Sequence, residues 1–381
     1  MKTFLIITIF ITALLHSCAS YENKIIGQWV EKNNYKAPRI LEFTKDYYTK
    51  PHNQNDLITF PYYRQAQYLY KVREDTLFQC SDIDVFIVKQ KITLTDDELI
   101  IQSGDSDSLY DNYLRNTHKN YIDFINNQLD LSIQLPKGSF YVLNWTYNSN
   151  SFFIDKDERN NIKYLLNGNP VSIDSNLHAK LFSNHDYRSQ IICFADSNVL
   201  VKDLNPLKVE CSKARYPRIY FCLLDSNYQL SMVPLSTPFV KFTVADTSNN
   251  LPPPPIEDIS FFKDRYFILC EVRSNKLLVN GTEQTYETFI QLLKDRAFKR
   301  GGVHLLLNYD ERLSLQEYVS FAIKLSESFN LIQSSYIKFK FNKSTYWDLN
   351  DEEKEKYNNF IIFFNEILKN DLEELYNYLP K

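Results

Sequence analysis

Between Leu277 and Phe341 the spacing of apolar positions changes several times, and each change predicts an element. Leu277-Leu278-Val279 is an extended apolar run that stops at Asn280-Gly281, the strongest short-range turn signal. Phe289, Leu292 and Leu293 then share one helical face, and Val303-His304-Leu305-Leu306-Leu307 reads as a buried strand that gives way at Asp310. Ser314-Leu315-Gln316-Glu317 has the form of a capping box, in which hydroxyl and carboxylate each satisfy an orphan N–H at a helix start. Val319, Ala322, Leu325 and Phe329 carry the helix on. Tyr336-Ile337-Lys338-Phe339-Lys340-Phe341 alternates and predicts a closing strand. The order is that of a small α+β layer.

The same order occurs earlier in the chain. Ile162 to Leu166 leads into Asn167-Gly168, Ile191 to Ala195 leads into Asp196, and Arg218 to Leu224 predicts a closing strand. Gly168 and Asp196 are 28 positions apart, and Gly281 and Asp310 are 29 apart. Leu135-Pro136 precedes the first Asn-Gly as Leu251-Pro252 precedes the second. Four landmarks in matching order predict a tandem duplication.

A Leu-Pro, a strand pair closing on Asn-Gly, a helix, and a strand ending in aspartate before a second helix together resemble the periplasmic domain of ExbD/TolR proteins. The resemblance covers residues 131–225 and 251–342, one copy each. It implies a docking fold for periplasmic partners, including Ton/Tol-type motor components. Members of that family carry a transmembrane helix with the aspartate of a proton path. No such helix precedes either copy, so the proton-channel role is not carried over. Two copies in one chain predict a pseudo-dimer packed about an approximate two-fold, with the closing strands as the seam.

Residues 1–18 read as a targeting segment: Lys2, an apolar stretch from Phe4 to Leu15, then Leu15-His16-Ser17-Cys18. This ending resembles the bacterial lipobox. The resemblance implies that Cys18 is lipidated and becomes the mature N-terminus, and paired acyl chains hold a protein stably at a membrane. Ala19 after the cysteine implies the outer membrane, facing the periplasm.

Residues 24–117 show short alternating strands joined by acidic turns, as in an antiparallel barrel or meander. Gly27-Gln28-Trp29 with this meander resembles the small lipocalin-like domains of bacterial lipoproteins, which implies that Trp29 plugs the closed end; a plain core aromatic is the alternative. The resemblance also raises a second function, small-molecule or lipid binding, with Trp29, Tyr68, Tyr70 and Phe86 as cavity candidates. Lys119 to Asp130 reads as connector, and the second helix of the first copy is expected near Asn205-Pro206, because proline suits a first turn. Residues 226–250 read as linker, and the stiff Pro252–Pro255 run that opens the second copy is a spacer or a ligand for an aromatic groove. Residues 343–381 predict an amphipathic helix with Tyr357, Phe360, Ile361, Phe364, Ile367 and Leu368 on one face, which packs back or docks a partner. The fold class expected is therefore multidomain: a small antiparallel β domain, two α+β two-layer units and a C-terminal helix.

Composition narrows the chemistry. The net charge of −4 argues against a nucleic-acid surface, and 27 Tyr and 27 Phe against only 7 Gly favour aromatic-rich sheets over phosphate-cradling loops. Beyond Cys18, the cysteines Cys80, Cys193, Cys211, Cys222 and Cys270 have no Cys-x-x-Cys spacing, and the six histidines are scattered. No nucleophile elbow, Walker loop or dinucleotide fingerprint occurs. No enzyme, cofactor or metal is expected. Asp196 and Asp310 read as caps of the turns they begin, or as partner-contact candidates at the same edge of both copies.

Overall fold

The computed structural model describes residues 24–379 except 36–39, 44–46, 51–65, 74, 81–85, 103–109, 119, 143–148, 175, 183–189, 215, 217, 228–229, 239–258, 264, 275 and 359–360. The molecule is mixed α/β and divides into two units, residues 1–131 with 141–149, and residues 132–140 with 150–381.

In the first unit eight antiparallel strands close into a barrel: β1 (Gly27–Glu31), β2 (Ile40–Phe43), β3 (Tyr47–Lys50), β4 (Ala66–Arg73), β5 (Thr76–Cys80), β6 (Phe86–Leu94), β7 (Glu98–Gln102) and β8 (Tyr110–Asn116). Strand β1 pairs with β8 through Gln28↔Asn116 and Val30↔Leu114, which closes the circuit. The period of two puts Ile92, Leu94, Leu99 and Ile101 into a core with Trp29, Leu41, Phe43, Val72, Leu77 and Tyr113. Residues read as connector form helix α1 (Tyr121–Leu129). The Asn120 side chain accepts from the Asp123 N–H at 2.9 Å, Asp130 ends the helix at φ 51°, and Tyr121, Ile122, Phe124 and Ile125 are buried. The unit also has a two-residue strand, β9 (Tyr141–Val142).

The second unit repeats one arrangement twice. Its first half has β10 (Asn150–Lys156), β11 (Ile162–Leu166), β12 (Asn169–Pro170), α2 (Leu177–Phe182), β13 (Ile191–Ala195), α3 (Val201–Lys213), β14 (Arg218–Leu224) and β15 (Leu230–Ser236). Its second half has β16 (Phe267–Arg273), β17 (Lys276–Val279), β18 (Thr282–Gln284), α4 (Tyr286–Arg300), β19 (Gly302–Tyr309), α5 (Leu315–Phe341), α6 (Asp351–Asn358), β20 (Ile361–Glu366) and α7 (Leu372–Tyr378). One sheet runs β12-β11-β10-β13-β14-β15, the other β18-β17-β16-β19-β20. Strand β13 lies parallel between β10 and β14, as β19 does between β16 and β20. Such central strands are buried on both faces and read as unbroken apolar runs.

Hydrogen bonds match position for position. Asn167 N–H donates to Ser151 O and Asn280 N–H to Leu269 O, both at 2.8 Å, and each Asn Oδ1 accepts the N–H of that same residue at 2.9 Å. Both Asn-Gly pairs have positive φ, 52° and 82° in the first, 50° and 81° in the second, as a tight primed hairpin turn requires. Asp196 N–H donates to Ile154 O and Asp310 N–H to Val272 O, both at 2.9 Å.

The halves share one hydrophobic core, and they meet after the two aspartates. Val201 N–H donates to Leu313 O (2.9 Å) and Leu315 N–H to Val199 O (2.7 Å). Lys202 N–H donates to Glu311 O and Gln316 N–H to Ser197 O, both at 3.1 Å. Leu200 and Ser314, each four residues past its aspartate, face each other in an antiparallel bridge. This reciprocal pattern is what a two-fold between the halves gives. The donors are the first N–H groups of α3 and α5, which have no partner inside their own helices.

Several expectations are corrected. Residues 336–341 are not a strand but the end of the 27-residue helix α5; no breaker intervenes before Asn342, which caps it at φ 54°. Ile337 is buried on the helical stripe while Phe339 is 75% exposed. The closing strand of the second sheet is instead β20, inside the stretch 343–381 read as one helix, so the second half extends past residue 342. An Ile-Ile-Phe-Phe run with strong strand propensity wins there over an equally possible helical spacing. The stretch 226–250 is not all linker: β15 lies in it, paired with β14 from Arg218↔Ser236 to Leu224↔Leu230, while residues 239–250 and the Pro252–Pro255 run lie outside the described residues. Helix α3 starts at Val201, so Pro206 sits inside it rather than in its first turn. The reciprocal seam is made by the segments after Asp196 and Asp310, not by the two closing strands.

Two glycines offer a controlled comparison. Gly301 ends α4 at φ 74° with nothing within 4 Å of an added Cβ, whereas at Gly281 (φ 81°) a Cβ would meet a Tyr376 ring carbon at 3.3 Å. Gly301→Ala is expected to lose about 1–2 kcal/mol for the left-handed backbone alone, and Gly281→Ala more, because the ring must also yield. Urea denaturation of both variants checks the order; equal losses would contradict it.

Candidate functional site

The most buried charges in the described residues lie where the two halves of the second unit touch. On α3 the inward stripe is Leu204, Leu207, Lys208 and Cys211, so helical spacing carries Lys208 into the core, where it has no exposed surface. Its ammonium pairs with the Glu366 carboxylate at the end of β20. It also donates to Tyr318 Oη at 2.8 Å and lies 4.6 Å from the centre of that ring. Tyr318 O–H donates to the other Glu366 oxygen at 2.6 Å, and the Tyr309 ring stands edge-on to Tyr318 at 4.3 Å. Lys208 belongs to the first half, and Tyr318, Tyr309 and Glu366 to the second.

Burial pushes the Lys208 ammonium below the ordinary lysine value, and the neighbouring Glu366 works against that shift. Burial likewise pushes the phenols of Tyr309 and Tyr318 well up, and the Glu366 charge adds to it, so both stay protonated, and Tyr318 serves as a donor. A cavity of about 20 Å³ adjoins the cluster, lined in part by Pro234, Leu235, Tyr309, Tyr318, Phe329 and Glu366. That is space for about one water molecule, and a substrate does not fit. A complete buried pair of this kind adds little stability, whereas removing one partner leaves a costly uncompensated charge.

Asp196 and Asp310 act as caps of the turns that form the seam. Asp196 Oδ1 accepts from Asn198 N–H and Oδ2 from Gln134 N–H, both at 2.9 Å. Asp310 Oδ1 accepts from Arg312 N–H at 2.9 Å, and Oδ2 from the Arg312 guanidinium at 2.8 Å. The Leu135-Pro136 segment also reaches the second half: Lys137 N–H donates to Gln316 Oε1 (2.7 Å), and Gln316 Nε2 donates back to Lys137 O (3.1 Å).

In the barrel Trp29 is fully buried, and its Nε1–H donates to Ile25 O at 2.8 Å. Arg115 stacks 4.4 Å from the Trp29 ring centre and donates to the carbonyls of Ile26 (3.1 Å) and Asp96 (2.6 Å). Tyr68 and Tyr70 fall in β4 and Phe86 in β6, with side chains outside the described residues, as are Cys18 and the Cys80 side chain.

Other chemistry is quiet. Cys193, Cys211, Cys222 and Cys270 are buried and unbridged, with thiols pushed up by burial and so unreactive. His178 Nδ1 meets Glu210 Oε2 at 2.9 Å, but Lys213 holds the other Glu210 oxygen at 2.6 Å. Burial alone would raise the Glu210 carboxyl; these partners bring it below its ordinary value. Among the described residues no group of three or more His, Cys, Asp or Glu is placed to hold a metal ion.

Sequence reading missed Lys208, Glu366, Tyr318 and Arg115. A lysine on an otherwise apolar helical stripe and a glutamate ending an apolar strand run were the available signals for the first two.

Asp310 supports a pH prediction. Hydrogen bonds from the Arg312 side chain and N–H, opposed by partial burial, hold its carboxyl down to about 2. A folded value below the unfolded one, about 4, means that its stabilisation is present above that value and is lost as pH falls toward 2. Asp310→Asn is therefore expected to melt below the parent protein near neutral pH, with the gap closing between about pH 4 and 2. Thermal melts across that range check it; a gap independent of pH would contradict it.

Compared with known proteins, the chain matches no family model, no curated protein and no solved structure.

Proposed function

We propose that the protein is a non-enzymatic lipoprotein of the outer membrane that faces the periplasm and works by protein contact beside a Ton/Tol-type motor. On this reading Cys18 carries the lipid anchor, the barrel is lipocalin-like, and the halves of the second unit are ExbD/TolR-like docking copies. The observation that carries it is the coincidence of matched landmarks with matched geometry: the side-chain oxygens of Asn167 and Asn280, and of Asp196 and Asp310, accept the corresponding backbone N–H groups in both halves. The sequence Leu15-His16-Ser17-Cys18 supplies the anchor. Among the described residues no helix is long and apolar enough to cross a membrane. The buried charged cluster joins halves and leaves no room for a substrate, which agrees with a role in contact.

Two experiments test this reading. Cys18→Ala is expected to move the protein from the membrane to the soluble envelope fraction, with no loss of melting temperature; retention at the membrane would count against the anchor. Crosslinking of the parent protein at native expression is expected to recover motor or outer-membrane components, and recovery of none would overturn the docking role.

A further inference from the structure

The pseudo-symmetric seam carries an asymmetric pair of buried charges. Lys208 stands twelve residues past Asp196, and twelve past Asp310 stands Ala322. Across the sheets, Cys193 pairs with Phe221 and Leu307 with Glu366, and Cys193 and Leu307 each precede their aspartate by three. Glu366 therefore holds in the second half the place that Phe221 holds in the first. The buried ion pair Lys208–Glu366 has as its two-fold mate the apolar set Ala322 and Phe221, both also buried.

We propose that the seam is a heterotypic recognition surface: each half accepts the other half, in the same chain or in a second copy, and rejects its own kind through the Lys208–Glu366 pair. The backbone bonds of the seam do not discriminate, because the Ser197–Lys202 and Glu311–Gln316 segments present the same donors and acceptors. The side chains do. A first half against a first half sets Lys208 opposite the Phe221 position, a buried ammonium without a carboxylate. A second half against a second half sets Glu366 opposite the Ala322 position, with the Tyr318 hydroxyl but no cation. Leaving one buried charge uncompensated is strongly destabilising, whereas the complete pair is tolerated, so both homotypic pairings are disfavoured by the residues that complete the heterotypic one. The 20 residues from 239 to 258 span up to about 65 Å when extended, so exchange of halves between two chains is within reach.

Charge reversal in the full-length chain tests the inference. Lys208→Glu and Glu366→Lys each place like charges in the seam and are expected to lower the melting transition by about 10 °C. The double variant restores opposite charges within one chain and is expected to recover most of the loss. Co-expressed with different tags, the two single variants are expected to co-purify as a one-to-one complex. In it one seam joins the unaltered Lys208 of one chain to the unaltered Glu366 of the other, and the second seam joins the two reversed side chains, again of opposite charge. Neither variant is expected to pair with itself to the same extent. A double variant no more stable than the weaker single one, or self-association equal to mixed association, overturns the proposal. Where reversal prevents folding, Lys208→Met, Glu366→Gln and their combination read the same coupling: a combined loss smaller than the sum supports it, and a purely additive loss overturns it.

Discussion

The segment after Asp196 and the segment after Asp310 satisfy each other's helix starts. The first N–H groups of an α-helix lack partners within it, and a buried amide without one is costly. In α3 these donors are Val201 and Lys202, and in α5 they are Leu315 and Gln316; all four are taken by carbonyls of the opposite half. Each half thus completes the other's backbone, and the two halves share one hydrophobic core. The caps of Asp196 and Asp310 set the turns that bring the segments together. Within the buried contact the asymmetry is carried chiefly by the Lys208–Glu366 pair.

The buried charged residues of the second unit serve this contact between the halves. Lys208, Tyr318 and Glu366 form the kind of cluster that could mark an active site, yet each polar atom is spent on the others and the adjoining space holds about one water. The seam aspartates are likewise committed, Asp196 to main-chain donors and Asp310 to the N–H and guanidinium of Arg312.

Features set by local backbone chemistry were legible in the sequence. Asn167-Gly168 and Asn280-Gly281 need positive φ, and few residue pairs tolerate it, so composition alone located both turns. The runs Ile191–Ala195 and Val303–Leu307 were legible as buried strands because both sheet faces are covered. Where two periods fit the same residues, the reading failed. Tyr336 to Phe341 alternates like a strand but extends a helix that has no breaker, and the face counted from Tyr357 to Leu368 contains strand β20. The Lys208–Glu366 pair spans 158 positions and exists only through the fold. Nothing local to either residue names its partner.

Native-state hydrogen exchange at the Val201 and Leu315 amides tests the central claim most directly. If the halves form one cooperative body through reciprocal seam bonds, both amides exchange only with global unfolding and with the same free energy, as do Leu305 and Cys193 in the central strands. Exchange of Val201 and Leu315 at rates typical of exposed helix starts, while the two central strands stay protected, would show that the halves are held together by something other than this seam.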